Sequence, residues 1–194
     1  KVSFFIKCSI LHRMRRPLEQ WKTYGTVAWF RLTRKLEKPN FTGAIRKGGS
    51  GVRSALIILP EGRENSRIAR YFLKSIYQSG HTEIDFLMDK SLYHTFQDSL
   101  PESVKVYEED ELNWFRLPSQ AMLDRILDHP YDAVVDMHPV FNLSSAYLAL
   151  MSKAPMRIGF ANKFSEHFFN VEIDNSKSEF LERSYLAVQK LLNL

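Results

Sequence analysis

At 194 residues the chain has room for one sizeable core and an appendage, and too little for two full domains. Its 44% apolar and 25% charged content speaks against both disorder and an integral membrane class. The net charge of +5 hides a division: residues 1–53 hold 13 Lys and Arg against only Glu19 and Glu37, while the remainder is acidic.

The opening segment sets Phe4, Phe5, Ile6, Ile10 and Leu11 among Lys1, Lys7, Arg13, Arg15 and Arg16. Pro17 suits a helix start, and Leu18, Trp21, Ala28, Leu32 and Leu36 recur near helical spacing, so a basic helical extension is expected over residues 1–37. Trp21, Trp29 and Phe30 beside Arg31, Arg34 and Lys35 would suit an anionic membrane surface. Packing on the rest of the chain or on a partner subunit is the favoured reading. No apolar stretch approaches the roughly 20 residues of a spanning helix, and residues 2–11 are interrupted by Lys7. The single cysteine, Cys8, excludes an internal disulfide framework and points to a reducing compartment. Cytoplasm is the expected location, with a peripheral place on the inner membrane face if the basic segment engages lipid. The chain starts at Lys1 rather than Met, which leaves a preceding leader open.

Residues 38–53, with Pro39, Asn40, Gly43, Gly49, Ser50 and Gly51 and little apolar content, have linker composition. From residue 54 onward the pattern changes. Strands are predicted at 55–59, 83–88, 103–107, 132–137 and 156–160, alternating with helices at 64–79, 91–98, 118–128 and 143–153. Ile68, Phe72, Leu73 and Ile76 form one helical stripe, Ile57 and Ile58 lie in an unbroken buried run, and Leu181, Tyr185, Val188 and Leu192 mark a final amphipathic helix. Such alternation predicts a Rossmann-like α/β domain over 54–194, a parallel sheet flanked by helices with right-handed crossovers.

Ligands of open α/β sheets bind beyond the carboxyl ends of the strands, which directs attention to three loops. The first, Pro60 to Ser66, has one glycine and so is neither a dinucleotide fingerprint nor a phosphate loop; the helix after it could receive an anion at its amino terminus. In the second, Asp136 and His138 could form an acid–base or metal-binding pair. Strand alternation is expected to turn them to opposite faces, which favours a structural role for at least one. The third carries Arg157 and Lys163, candidates for a phosphorylated or acidic ligand. His81, His94, His129 and His167 lie in four separate segments, so no zinc site is expected, and no cofactor motif is present.

In order and spacing, Leu56-Ile57-Ile58-Leu59-Pro60, Val135-Asp136-Met137-His138-Pro139 and Arg157-Ile158-Gly159-Phe160 resemble the amino-terminal domain of ADP-heptose:lipopolysaccharide heptosyltransferases. That family shows a strand with a Pro-Ser-Ser-x-Gly-Asp-type turn, then an Ile-Asp-x-Gln-Gly-type strand end, then Arg-Ile-Gly-Phe. Glu182-Arg183-Ser184-Tyr185-Leu186 is similar to the segment that precedes the family's second domain. The resemblance implies a single half of a two-domain GT-B transferase, the half that holds mainly the acceptor. It also implies a general base in the first loop, where Asn65 stands in place of the family's Asp; an amide cannot take that proton, and Glu64 or Asp136 would have to.

Three readings follow from the sequence. The first is a glycosyltransferase-like domain without its donor half, serving as a non-catalytic binding or assembly subunit with a protein partner. The second is half of a split or truncated transferase acting on lipopolysaccharide or a related glycan acceptor. There Arg63, Arg157 and Lys163 would contact acceptor phosphates, and Asn65 and His138 would complete the ligand site. The third, ranked last, is nucleic-acid binding through residues 1–53, which lack a reader motif.

Overall fold

The computed structural model describes residues 21–32, 51–61, 70, 83–96, 104–174 and 181–192. The chain divides into two compact units, Lys1–Glu37 and Lys38–Leu194. In the first, residues 21–32 are helical, with Thr26, Val27 and Phe30 buried.

The second unit is built on β1 (Ser54–Ile58), β2 (Glu83–Asp89), β3 (Val104–Tyr107), β4 (Ala133–Asp136), β5 (Met156–Phe160) and β6 (Val171–Ile173). Every pairing is parallel, and the strands run in the order β3-β2-β1-β4-β5-β6. The described helices are α1 (Lys90–Phe96), α2 (Gln120–Ile126), α3 (Leu143–Met151) and α4 (Leu181–Leu192). This is the expected Rossmann-like architecture. The helix expected at 64–79, with its Ile68–Ile76 stripe, lies outside the described residues apart from a helical Arg70. The short edge strand β6 was not expected, because three residues around the exposed Glu172 carry too little pattern.

Both faces of the central strands are buried, which explains why residues 55–58 of β1 and 133–135 of β4 read as unbroken apolar runs. Ala55 and Ile57, Phe86 and Met88, Ala133 and Val135, and Met156 and Ile158 alternate onto one face, where Leu92 of α1 and Val188 and Leu192 of α4 complete the core. Local chemistry starts the helices. The Ser119 hydroxyl accepts the Met122 N–H at the head of α2, and the Asn142 side chain accepts the N–H groups of Ser144 and Ser145 at the head of α3. At the far end of α3 the chain turns through Lys153, whose φ of 53° is left-handed without the glycine that usually supplies it. Asp132 ties the start of β1 to β4: its Oδ2 accepts from the N–H groups of Arg53 (2.9 Å) and Ser54 (3.2 Å).

Candidate functional site at the sheet switch point

The strand order reverses between β1 and β4, and in open α/β sheets ligands are held beyond the carboxyl ends of the strands at such a switch point. One constellation of side chains lies there and a second lies beyond the ends of β1, β2 and β3.

The first is buried. Asp136, the last residue of β4, is 4% exposed and His138 is 7% exposed. Asp136 Oδ1 accepts from the His138 backbone N–H (3.0 Å) and from Nδ1 (2.7 Å), while Oδ2 accepts from the Ser145 hydroxyl (2.6 Å) in the first turn of α3. Three donors thus satisfy a carboxylate that burial would otherwise make costly. The expected separation of Asp136 and His138 is corrected by this geometry. Positions two apart on a strand share a face, and the chain leaves β4 after Asp136, which lets the ring fold back onto the carboxylate.

The other ring nitrogen is also engaged, since His138 Nε2 lies 3.0 Å from the Glu61 N–H. Burial works against the imidazolium, the Asp136 carboxylate and the more distant Glu61 work for it, and the balance is upward from the ordinary histidine value. The Glu61 contact opposes that balance, because a nitrogen that accepts an N–H carries no proton. A second proton would cost this bond, so we read the ring as neutral, with its proton on Nδ1. The pair therefore works as a clamp between the segments leaving β1 and β4, reinforced by the Met137 N–H bonded to the Ile58 carbonyl (3.0 Å).

The second constellation lines a cleft of about 200 Å³ beyond the ends of β1, β2 and β3, formed by Glu61, Asp89, Ser91, Tyr107, Glu109, Leu112 and Arg116. Tyr107 closes β3 and donates its hydroxyl to Glu61 Oε1 (2.6 Å). Burial, and then the Glu61 charge, push the phenol well above its ordinary value, so it keeps the proton it donates. Arg116 lies 3.7 Å from Glu61 Oε2 and 2.9 Å from Glu109 Oε1. Its φ of 59° is left-handed, and its carbonyl accepts the Ser144 hydroxyl. The loop that carries it is pinned by the Asn113 side chain, which accepts from the Phe115 and Leu117 N–H groups. That loop turns Trp114 (77% exposed) and Phe115 (51%) outward. With three carboxylates to one guanidinium, the lining is suited to hydroxyl-rich ligands and poorly suited to phosphate.

The remaining predicted site residues are dispersed. Arg157 lies near the amino end of β5, where its guanidinium donates to the carbonyls of Phe168 (3.0 Å) and Ala154 (3.2 Å) and burial lowers its pKa. That is the opposite end of the strands from His138. Lys163 follows β5, with Nζ 5.0 Å from the Phe164 ring centre; Phe164 packs in turn on Phe141, of the loop that carries His138. Arg63, Glu64 and Asn65 lie outside the described residues. Sequence reading passed over Glu61, Tyr107, Arg116 and Ser145. Only Glu61 had a usable signal, its place directly after a predicted strand end. Among the described residues no group of three or more His, Cys, Asp or Glu could hold a metal ion.

The fold matches one half of solved two-domain transferases. A family 9 glycosyl transferase from Veillonella parvula DSM 2008 superposes with a TM-score of 0.57 at 16% identity, covering 76% of this chain and 42% of its own. The heptosyltransferase WaaC of E. coli, solved with ADP, gives 0.52 at 16% identity, covering 72% and 46%. The chain thus spans less than half the length of either. Together these findings define a Rossmann-like, six-stranded parallel unit of the kind that forms a GT-B half. Within that class, the chain belongs to the family of unknown function DUF6913, whose model matches residues 30–184. Among curated proteins, none matches this sequence.

Proposed function

We propose that this chain is an acceptor-side, glycosyltransferase-like domain that binds a glycan as a subunit of a larger assembly and does not transfer sugar by itself. The observation that carries this reading is how the switch-point groups are used. Both nitrogens of His138 and both carboxylate oxygens of Asp136 are buried and committed to internal bonds, whereas the neighbouring cleft is lined by the carboxylates of Glu61, Asp89 and Glu109 and the hydroxyls of Ser91 and Tyr107, and the loop that brings Arg116 to it carries the exposed Trp114 and Phe115. Carboxylates and hydroxyls accept and donate to sugar hydroxyls, and aromatic faces pack against the apolar faces of sugar rings.

A second reading, half of a split or truncated transferase acting on lipopolysaccharide or a related glycan, draws support from Glu61. It stands at the end of β1, held by Tyr107 and facing the cleft. There it could take the proton of an acceptor hydroxyl once another chain or domain supplied the donor.

Calorimetric titration tests both readings. Neutral core oligosaccharides are expected to bind the full chain, with binding lost in Glu61→Gln and Trp114→Ala, while ADP-, UDP- and GDP-sugars give no heat. Tight nucleotide-sugar binding by the chain alone would overturn the subunit reading. Nucleotide-sugar binding that requires a co-purifying partner would favour the split transferase.

A further inference from the structure

The helical segment 21–32 has two apolar faces, and among the described residues only one of them is buried. At roughly 100° per residue, Thr26, Val27 and Phe30 share the buried side. Trp21, Gly25, Ala28 and Leu32 follow i, i+4, i+7, i+11 spacing along the opposite side, and all four are exposed. Trp21 is 78% and Leu32 80% exposed, with Trp29 (61%) and Tyr24 (46%) flanking them. An apolar stripe of this size on a helix of one protein is a mark of an interaction surface. Lys22 and Arg31 stand at its two margins, in a 53-residue stretch that carries 13 Lys and Arg against two acidic residues.

A large aromatic centre with cationic margins is the composition of a helix that lies in a membrane interface. Indole and phenol rings settle at headgroup depth, the leucine side chain enters the acyl boundary, and Lys and Arg reach back to lipid phosphates. No helix among the described residues is long and apolar enough to cross a membrane, so such a contact would run parallel to the surface. Nucleic acid would engage the cations and leave Trp21 and Leu32 in water, since a phosphate backbone offers nothing to an aliphatic side chain. The charge complementarity and the aromatic stripe together favour lipid.

We propose that residues 21–32 form an interfacial anchor that lays the Trp21–Leu32 face onto an anionic bilayer. This anchor is independent of any glycan bound at the cleft.

The test is flotation of the full chain with vesicles of phosphatidylcholine alone and of phosphatidylcholine containing about 30 mol% phosphatidylglycerol. The chain is expected to float with the anionic vesicles and much less with the neutral ones. The double substitution Trp21→Ser, Leu32→Ser retains every charge and alters two exposed side chains. It should reduce partitioning roughly tenfold or more. Trp114→Ser, which removes an exposed aromatic from the other unit, should leave it unchanged. Circular dichroism on both variants establishes that they fold. Absence of flotation with anionic vesicles would overturn the proposal, as would flotation that the double substitution leaves intact. Binding to duplex DNA that roughly 0.3 M salt abolishes, without vesicle flotation, would assign the basic segment to nucleic acid instead.

Discussion

Replacing His138 with alanine separates a structural clamp from a catalytic base. The substitution removes the Nδ1–H donor to the buried Asp136 carboxylate (2.7 Å) and the Nε2 acceptor of the Glu61 N–H (3.0 Å). A hydrogen bond to a charged group is worth about 1.5–3 kcal/mol, and a donor stripped of its partner costs about 1–3 kcal/mol. Asp136 retains the Ser145 hydroxyl and one backbone N–H, and water can reach the vacated space beside the half-buried Glu61, so the lower parts of these ranges apply. The sum is about 3–4 kcal/mol, which for a domain of this size lowers Tm by roughly 6–16 °C. Thermal unfolding followed by circular dichroism, with urea denaturation to confirm the change in free energy, measures it. A Tm within about 2 °C of the wild type would refute the clamp, and so would a higher one, since residues kept for catalysis commonly cost stability.

Three further outcomes are expected. In Gly159→Ala the new methyl group would sit 2.5 Å from the ring carbons of the buried Phe169, and the overpacking should cost about 1–3 kcal/mol in urea titrations; an unchanged midpoint would mean that the ring has room to move. Lys153→Gly relieves the left-handed φ of 53° at an exposed position and should stabilise the chain by about 0.5–1 kcal/mol, seen as a higher Tm. For Glu111, burial raises the pKa, but the Arg125 hydrogen bond, the Glu108 N–H and the Arg125 charge outweigh it and hold the group below its ordinary value. A depressed folded pKa contributes stability above the unfolded value of about 4.3 that is lost as pH falls through the folded one. Arg125→Met should therefore lower Tm at pH 7 more than at pH 3, by an amount equivalent to about 1 kcal/mol or less for so exposed a pair. An equal loss at both pH values would show that the pair is uncoupled from folding.

Much of the architecture is legible locally. Residues 55–59 and 133–135 read as continuous apolar runs because parallel strands covered on both faces favour apolar residues at successive positions. The alternation of such runs with helical stripes implies right-handed crossovers and hence a parallel sheet. Gly159 belongs to the Arg-Ile-Gly-Phe motif that carries the family likeness, yet its physical role, admitting the Phe169 ring, depends on a residue ten positions away.

The site depended far more on tertiary structure. Glu61 meets His138 across 77 positions and Tyr107 across 46. These pairs exist because parallel pairing in the order β3-β2-β1-β4-β5-β6 brings the carboxyl ends of β1, β3 and β4 to the same end of the sheet, with β1 between the other two. Arg157, expected at the ligand site for its basic charge, is instead left at the amino end of β5, away from the cleft. In the extension, the spacing of Trp21, Ala28 and Leu32 announced a helix, but which stripe would be buried was settled only by packing, with Val27 and Phe30 inside and Trp21 and Leu32 outside. By itself the sequence determined the first five strands, the fold class and the charge division, because propensity and periodicity act between near neighbours. The tertiary structure decided which side chains share a site, because parallel strands must be joined by long crossovers, and the residues that meet at their ends carry no mark of one another in the chain.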